Sequence, residues 1–249
     1  MIRKNILITG ASSGLGKGMA VEFAKQGRNL ALCARRVERL EELKAELLAI
    51  NPNIKVLIKP LDVNQHDEVF RVFNEFKQEL GELDRVIVNA GMGKGASIGK
   101  GYFHANKQTA ETNFVAAIAQ AEAAMEIFRA QNAGHLVTIS SISAVRGFRR
   151  AMTVYAATKA AITSLSEGIR IDVMNTPIKV SCVHPGFIRS EINETVEKVP
   201  FIVDTETGCK ALVAAIEKEK ANSYVPSWPW ALLHWLLRVA PQGMIRSMS

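Results

Sequence analysis

The sequence predicts a doubly wound parallel α/β sheet of about seven strands with helices on both faces. Three observations predict it. Short β-branched runs alternate with longer segments of helical periodicity, the runs lack strict polar alternation, and the first of them ends in a glycine-rich turn. Strands without alternation are those whose two faces are both covered by helices.

The elements follow in order. The opening "MIRKNILITG" is too briefly apolar for a secretory signal, so residues 5–9 read as the first strand. After the glycine turn, Leu15, Met19 and Phe23 recur four apart and Gly27 closes the segment as a helix C-cap does. "NLALCA" (29–34) is the second strand, followed by the charged helix "RRVERLEELKAEL". "IKVLIK" (54–59), "RVIVN" (85–89), "HLVTIS" (135–140) and "IKVSCV" (178–183) are the next four strands. With no linker or repeat, residues 1–225 read as a single domain. Residues 226–249 form a Trp- and Pro-rich tail, either part of that domain or interfacial.

Composition narrows the function classes. The net charge of +7 comes from scattered residues, concentrated only at 34–36 and 146–150, with no zinc-finger or RNP signature, so nucleic acid is not an expected partner. Cys33, Cys182 and Cys209 stand alone, which argues against a disulfide framework or a metal site and for a reduced, cytoplasmic setting.

"TGASSGLG" places Gly10, Gly14 and Gly16 between a strand and a helix. Glycine lets the backbone approach a pyrophosphate, whose charge the free N–H groups of a helix N-terminus favour. A dinucleotide-binding unit usually carries an acidic residue at the end of its second strand to hold the ribose hydroxyls. Here that corner reads Cys33, Ala34, Arg35, Arg36. A guanidinium forks onto a phosphate, so Arg35 fits a 2′-phosphate with Ser13 as a second donor, and NADP(H) is favoured over NAD. Arg36 is open between that role and the start of a solvated helix, to which Arg39 is assigned.

"VYAATKAA" puts Tyr155 and Lys159 four apart, on one helix face. An ammonium beside a phenol favours the phenolate, so this pair is expected to lower the tyrosine pKa and give a proton donor and acceptor near neutrality. Ser140, Ser141 and Ser143 close the preceding strand, and any of them could hold a substrate oxygen.

In sequence order the chain shows "TGASSGLG", "LDV" (61–63), "NAG" (89–91), Asn113 in "TNF", "ISS", "YAATK" and "PGFIRS" (185–190). On these motifs residues 3 to 220 resemble the short-chain dehydrogenase/reductase family, of the single-domain, Rossmann-like type. The resemblance implies a tetrad of Asn113, Ser141, Tyr155 and Lys159: Tyr155 exchanging the proton, Ser141 holding the oxygen, Lys159 on the nicotinamide ribose, and Asn113 holding a water. It further implies cofactor contacts from Ser12, Ser13, Leu15 and the three glycines, from Asp62 and Val63 at adenine, from Asn89, Ala90 and Gly91 at the ribose, and from Pro185, Gly186, Ile188 and Ser190 at the carboxamide. The interval from Ser141 to Tyr155 is one residue longer than is usual in the family, placing an insertion in "AVRGFRRAM". The family also pairs its two long helices, here 105–131 and 153–174, into homodimers and homotetramers.

Met92, Phe148, Met152 and Phe187 fall in the loops beyond the strand ends and imply an apolar pocket for a hydrophobic ketone, aldehyde or alcohol. Arg146, Arg149 and Arg150 either guide an anionic substrate or lie in a solvated loop. The tail is too short and interrupted to span a membrane, leaving peripheral membrane contact or cover over the pocket or a subunit interface. The competing functional class is a catalytically silent NADP-binding sensor or scaffold, which would need only the glycine turn and Arg35.

Overall fold

The computed structural model describes residues 2–93, 95–191 and 201–248. Seven strands, β1 (Asn5–Thr9), β2 (Asn29–Ala34), β3 (Val56–Pro60), β4 (Arg85–Val88), β5 (His135–Ile139), β6 (Lys179–Pro185) and β7 (Asn222–Val225), form one sheet in the order β3-β2-β1-β4-β5-β6-β7. Every pairing is parallel. Six strands overlap the runs predicted from sequence. The seventh, "NSYV", carries no apolar run and exists through its pairing with β6.

Ile6 and Ile8 of β1 face helices α1 (Gly14–Lys25), α2 (Val37–Ile50) and α7 (Thr205–Glu217), while Leu7 faces α3 (His66–Leu80), α5 (Ala116–Gln131) and α6 (Met152–Asp172). Two separate apolar cores result, one on each side of the sheet. This is why the strand runs show no polar alternation: the five inner strands, β1, β2, β4, β5 and β6, are buried on both faces, and only the edge strands β3 and β7 are partly exposed.

α4 (Phe103–Ala110) runs into α5 through a π-helical turn at Glu111–Val115, so the long helix expected from residue 105 is interrupted at Asn113. Single π turns inside α-helices recur at functional sites. The tail folds into α8 (Ser227–Val239) and α9 (Gln242–Met248). α8 is anchored by Trp230, which is buried, and by Arg146, whose Nη1 donates to the Leu237 carbonyl at 2.9 Å and to the Ala240 carbonyl. Arg146 is thus spent on the end of a helix, which removes it from the cationic guide considered from the sequence.

At the amino-terminal edge of the sheet, fully buried Arg85 donates from Nε to His135 Nδ1 (2.8 Å) and from Nη1 to Glu217 (2.7 Å). His135 Nε2 bonds Ser181 at 2.8 Å. An Nδ1 that accepts from Arg85 fixes the neutral tautomer with the proton on Nε2, and burial beside Arg85 and Arg3 drives the imidazole well below its ordinary pKa.

Candidate active site

The strand order reverses between β1 and β4, and the crevice at the carboxyl ends of these strands is where such sheets bind ligands. Thr9 ties the two ends together. Its Oγ1 accepts from the Asn89 and Ala90 amides (3.0 and 3.1 Å), while Asn89 Nδ2 donates to the Thr9 and Gly10 carbonyls (2.8 and 3.4 Å). Gly10 and Gly14 adopt positive φ, of 65° and 52°. A Cβ on Gly16 would lie 2.4 Å from the Gly10 carbonyl oxygen, so the turn closes only with glycine there. Ser13 precedes α1 without a side-chain cap, and Ser12 and Leu15 flank it in the same turn. The first N–H groups of α1 have no intrahelical acceptors, which makes this cradle fit a pyrophosphate.

The corner after β2 differs in detail from the sequence expectation. Arg36, rather than Arg35, reaches the glycine turn: its Nε donates to Ser12 Oγ (3.3 Å) and its Nη2 to Ser13 Oγ (2.7 Å). Arg35 is exposed. Arg39, assigned from sequence to a solvated helix face, pairs with Glu191 at 2.5 Å, and the other oxygen of that carboxylate meets Arg36 at 3.1 Å. Both guanidiniums hold the Glu191 carboxyl below its usual range against the opposing effect of burial. Arg36 is the last residue before α2, and its side chain reaches back to the serines of the turn. Asp62 and Val63 lie beside this corner, with the Leu61 amide bonded to the Ala34 carbonyl (3.0 Å). Asp62 accepts from the amide and side chain of Asn64, both at 3.0 Å, and so caps its own turn.

The four residues of the expected tetrad come together on the other side of the crevice. Asn113, buried in the π turn, accepts from the Met92 amide (2.7 Å) and donates to the Met92 carbonyl (2.9 Å) and Thr158 Oγ1 (3.3 Å). Its side-chain amide thereby fixes the loop after Gly91 against α6. A Cβ on Gly91 would sit 3.2 Å from Asn113 Oδ1 and 3.7 Å from Lys159 Nζ, placing this glycine between the two.

The structure also separates the three serines. Ser140 is buried, donating to the Lys159 carbonyl (2.8 Å) and bonded to Thr163 (3.0 Å). Ser141 Oγ accepts from the amide and the hydroxyl of Ser143 (3.2 and 3.0 Å), and it is close enough to Tyr155 to pull the phenol pKa down. Two donors into Ser141 Oγ leave its own proton free to turn toward the crevice. His184 supports the same residue from behind, with Nδ1 3.4 Å from the Ser141 carbonyl.

Lys159 Nζ donates to the Ile139 carbonyl (2.8 Å) and stands 5.8 Å from the centre of the Tyr155 ring. Burial lowers its pKa to about 8. Burial also raises the Tyr155 pKa, with Ser141 acting the other way. The lowering expected from sequence is thus reversed: desolvation of the phenolate outweighs an ammonium that lies against the ring and is turned to a carbonyl.

Past β6, Pro185 leads into Gly186, whose amide donates to the Val225 carbonyl (2.8 Å). Ile188 is buried and bridges to Val203, and Ser190 lies beside Gly14. The segment therefore folds back over the glycine turn. A Cβ on Gly186 would fall 2.2 Å from Trp230 Nε1, and Phe187 meets the same indole edge-on at 5.4 Å. Neither Trp230 nor Glu191 was singled out from sequence, and Ser143, considered there as a substrate contact, instead supports Ser141. Their roles depend on loops and a helix that meet only in the folded chain.

The family model described as short chain dehydrogenase matches residues 4–200. A Mycobacterium tuberculosis protein named an uncharacterized oxidoreductase is 52% identical over 99% of this chain and 98% of its own. 11-beta-hydroxysteroid dehydrogenase 1A of Arabidopsis thaliana is 33% identical over 90% of this chain and 69% of its own. Among solved structures, the NADPH-dependent 3-quinuclidinone reductase of Rhodotorula rubra is similar with a TM-score of 0.78 and 25% identity, over 89% of this chain and 88% of that one.

Proposed function

This chain belongs to the short-chain dehydrogenase/reductase family, oxidoreductases that bind a nicotinamide cofactor, and on that premise we propose that it interconverts an apolar ketone or aldehyde and the corresponding alcohol with NADP(H). The observation that carries this reading is the gathering of Ser141, Tyr155 and Lys159 at the mouth of the sheet, with Ser141 held by Ser143 and Lys159 buried 5.8 Å from the centre of the Tyr155 ring. A binding scaffold has no use for a half-buried phenol set between a serine hydroxyl and a buried ammonium, so the silent sensor is not retained.

Gly10, Gly14, Gly16 and the N-terminus of α1 would hold the pyrophosphate, and Arg36 with Ser13 would hold the 2′-phosphate. Asn89 to Gly91 and the 185–190 segment would border the nicotinamide end. When bound, the nicotinamide supplies or accepts the hydride. Burial keeps Tyr155 a neutral phenol at pH 7, the form able to give its proton to a carbonyl oxygen as a reduction requires. Ser141 would donate to the same oxygen, its orientation fixed by Ser143. Lys159, with a pKa near 8, remains mainly an ammonium at neutrality and would stabilise the phenolate left behind. Met92, Phe148 and Phe187, all half-buried, and the more exposed Met152 would form the apolar wall for the substrate.

Assembly into dimers or tetramers through α5 and α6 is part of the proposal. Val115 and Ile118 lie exposed at the start of this face, and Ile118, Met125, Leu165 and Ile169 line a groove between the two helices. Among the described residues no helix is long and apolar enough to cross a membrane.

NADPH oxidation with a panel of apolar ketones tests the reading. Removal of a positioned proton donor in Tyr155→Phe is expected to lower turnover at least ~10²-fold, with NADPH affinity unchanged. Full turnover by this variant would overturn the mechanism.

A further inference from the structure

The two faces of α8 have opposite characters. Its inner side is built into the enzyme: Trp230 packs on Gly186 and Phe187, and His234 lies 4.5 Å from the ring of Tyr224, which in turn stacks on His184 at 4.9 Å. Its outer side carries Leu232, Trp235, Leu236 and Val239 at i, i+3, i+4 and i+7, exposed by 51, 66, 53 and 76%. Trp228, at the start of the helix, is 75% exposed. A contiguous stripe of this kind is rare on a soluble surface without a partner.

We infer that this outer face docks on an anionic lipid bilayer. Leu and Trp on one side of a helix, with arginines at its border, are the composition of a helix that lies in the headgroup region. Arg238 and Arg246 are both exposed, and the sequence from 220 to 249 contains no Asp or Glu. That charge pattern selects among occupants. A two-fold contact between copies presents the same patch twice, so it would set these arginines against each other with no carboxylate in the segment to pair them. An anionic surface complements them and takes up the apolar stripe as well. Docking would place the loops of 146–150 and 185–190, which touch α8, at the bilayer surface. The active-site mouth would then open where an apolar carbonyl compound dissolves.

Co-sedimentation of the full chain with vesicles tests this without reference to turnover, so its result is independent of the proposed activity. Binding to phosphatidylglycerol/phosphatidylcholine vesicles is expected, with a blue shift of the exposed tryptophans and much weaker binding to phosphatidylcholine alone. Leu232→Glu with Trp235→Glu should weaken partition at least ~10-fold by removing apolar contact and adding repulsion. Both positions are exposed, so melting temperature and NADPH affinity should stay unchanged. Arg238→Gln with Arg246→Gln should weaken binding to the anionic vesicles alone, by ~5-fold per charge. Failure to bind anionic vesicles, or equal binding to both compositions, would overturn the inference. So would a dimer that Leu232→Glu with Trp235→Glu converts to monomer, since a second copy would then own this face.

Discussion

Replacing Arg36 by Ala should weaken NADPH binding selectively, whereas the same change at Arg35 should do little. Arg36 already bonds Ser13 at 2.7 Å and Ser12 at 3.3 Å, so its guanidinium is held over the cradle where a 2′-phosphate would sit. Hydrogen bonds to a charged group contribute about 1.5–3 kcal/mol. Against this stands the exposed pair with Glu191, of which the phosphate must displace at least part; such pairs contribute about 0–1 kcal/mol. The difference, about 0.5–3 kcal/mol at 1.4 kcal/mol per factor of ten, is about a 2- to 140-fold rise in Kd. Fluorescence titration of both variants with NADPH and NADH measures it, and NADH should bind Arg36→Ala as it binds the parent. A larger loss from Arg35→Ala, or equal losses for the two cofactors, would refute the assignment of Arg36.

Three further outcomes follow from particular contacts. Ser141→Ala should lower turnover ~10²-fold or more through loss of the oriented donor, whereas Ser140→Ala should keep turnover and cost about 1 kcal/mol of stability, measured by urea unfolding, because it removes only a buried structural bond. Gly186→Ala must push the Trp230 indole away, costing about 1–3 kcal/mol of overpacking; a lower melting temperature and a red-shifted tryptophan spectrum would report it. His135 is kept neutral when folded but takes a proton near its ordinary pKa when unfolded, so the unfolded state binds more protons below that value. Stability is then full above pH 6.5 and falls as the pH drops below it, by at most about 1.4 kcal/mol per pH unit. Urea unfolding between pH 7 and 5 should show this slope in the parent and less of it in His135→Gln, whose amide cannot be protonated.

The fold was legible because its signals are local. β-branched runs, their lack of alternation and the glycine turn each report on a few adjacent residues, and together they admit one architecture. β7 escaped because "NSYV" has no pattern of its own and becomes a strand only on the edge of β6. The site was legible as residue types in order but not as contacts. Tyr155 and Lys159 share a helix face as their spacing requires, yet the direction of the tyrosine pKa depended on how deeply the ring is buried and where the ammonium turns.

By itself, then, the sequence determined what local periodicity and motif order can carry: a doubly wound sheet, membership of an oxidoreductase family, and four residues to look for at the crevice. Only the tertiary structure showed Ser140 bonded to the Lys159 carbonyl and Ser141 to Ser143, Arg36 at the glycine turn, and the Asn113 amide on the Met92 backbone. It also divided α8 into a face that packs on Gly186 and a face left exposed. The physical reason is the same in each case. Hydrogen-bond partners and desolvation are set by groups that lie from 2 residues (Ser143 on Ser141) to 155 residues (Glu191 on Arg36) away along the chain, and neither spacing nor composition records which of those groups the fold brings near.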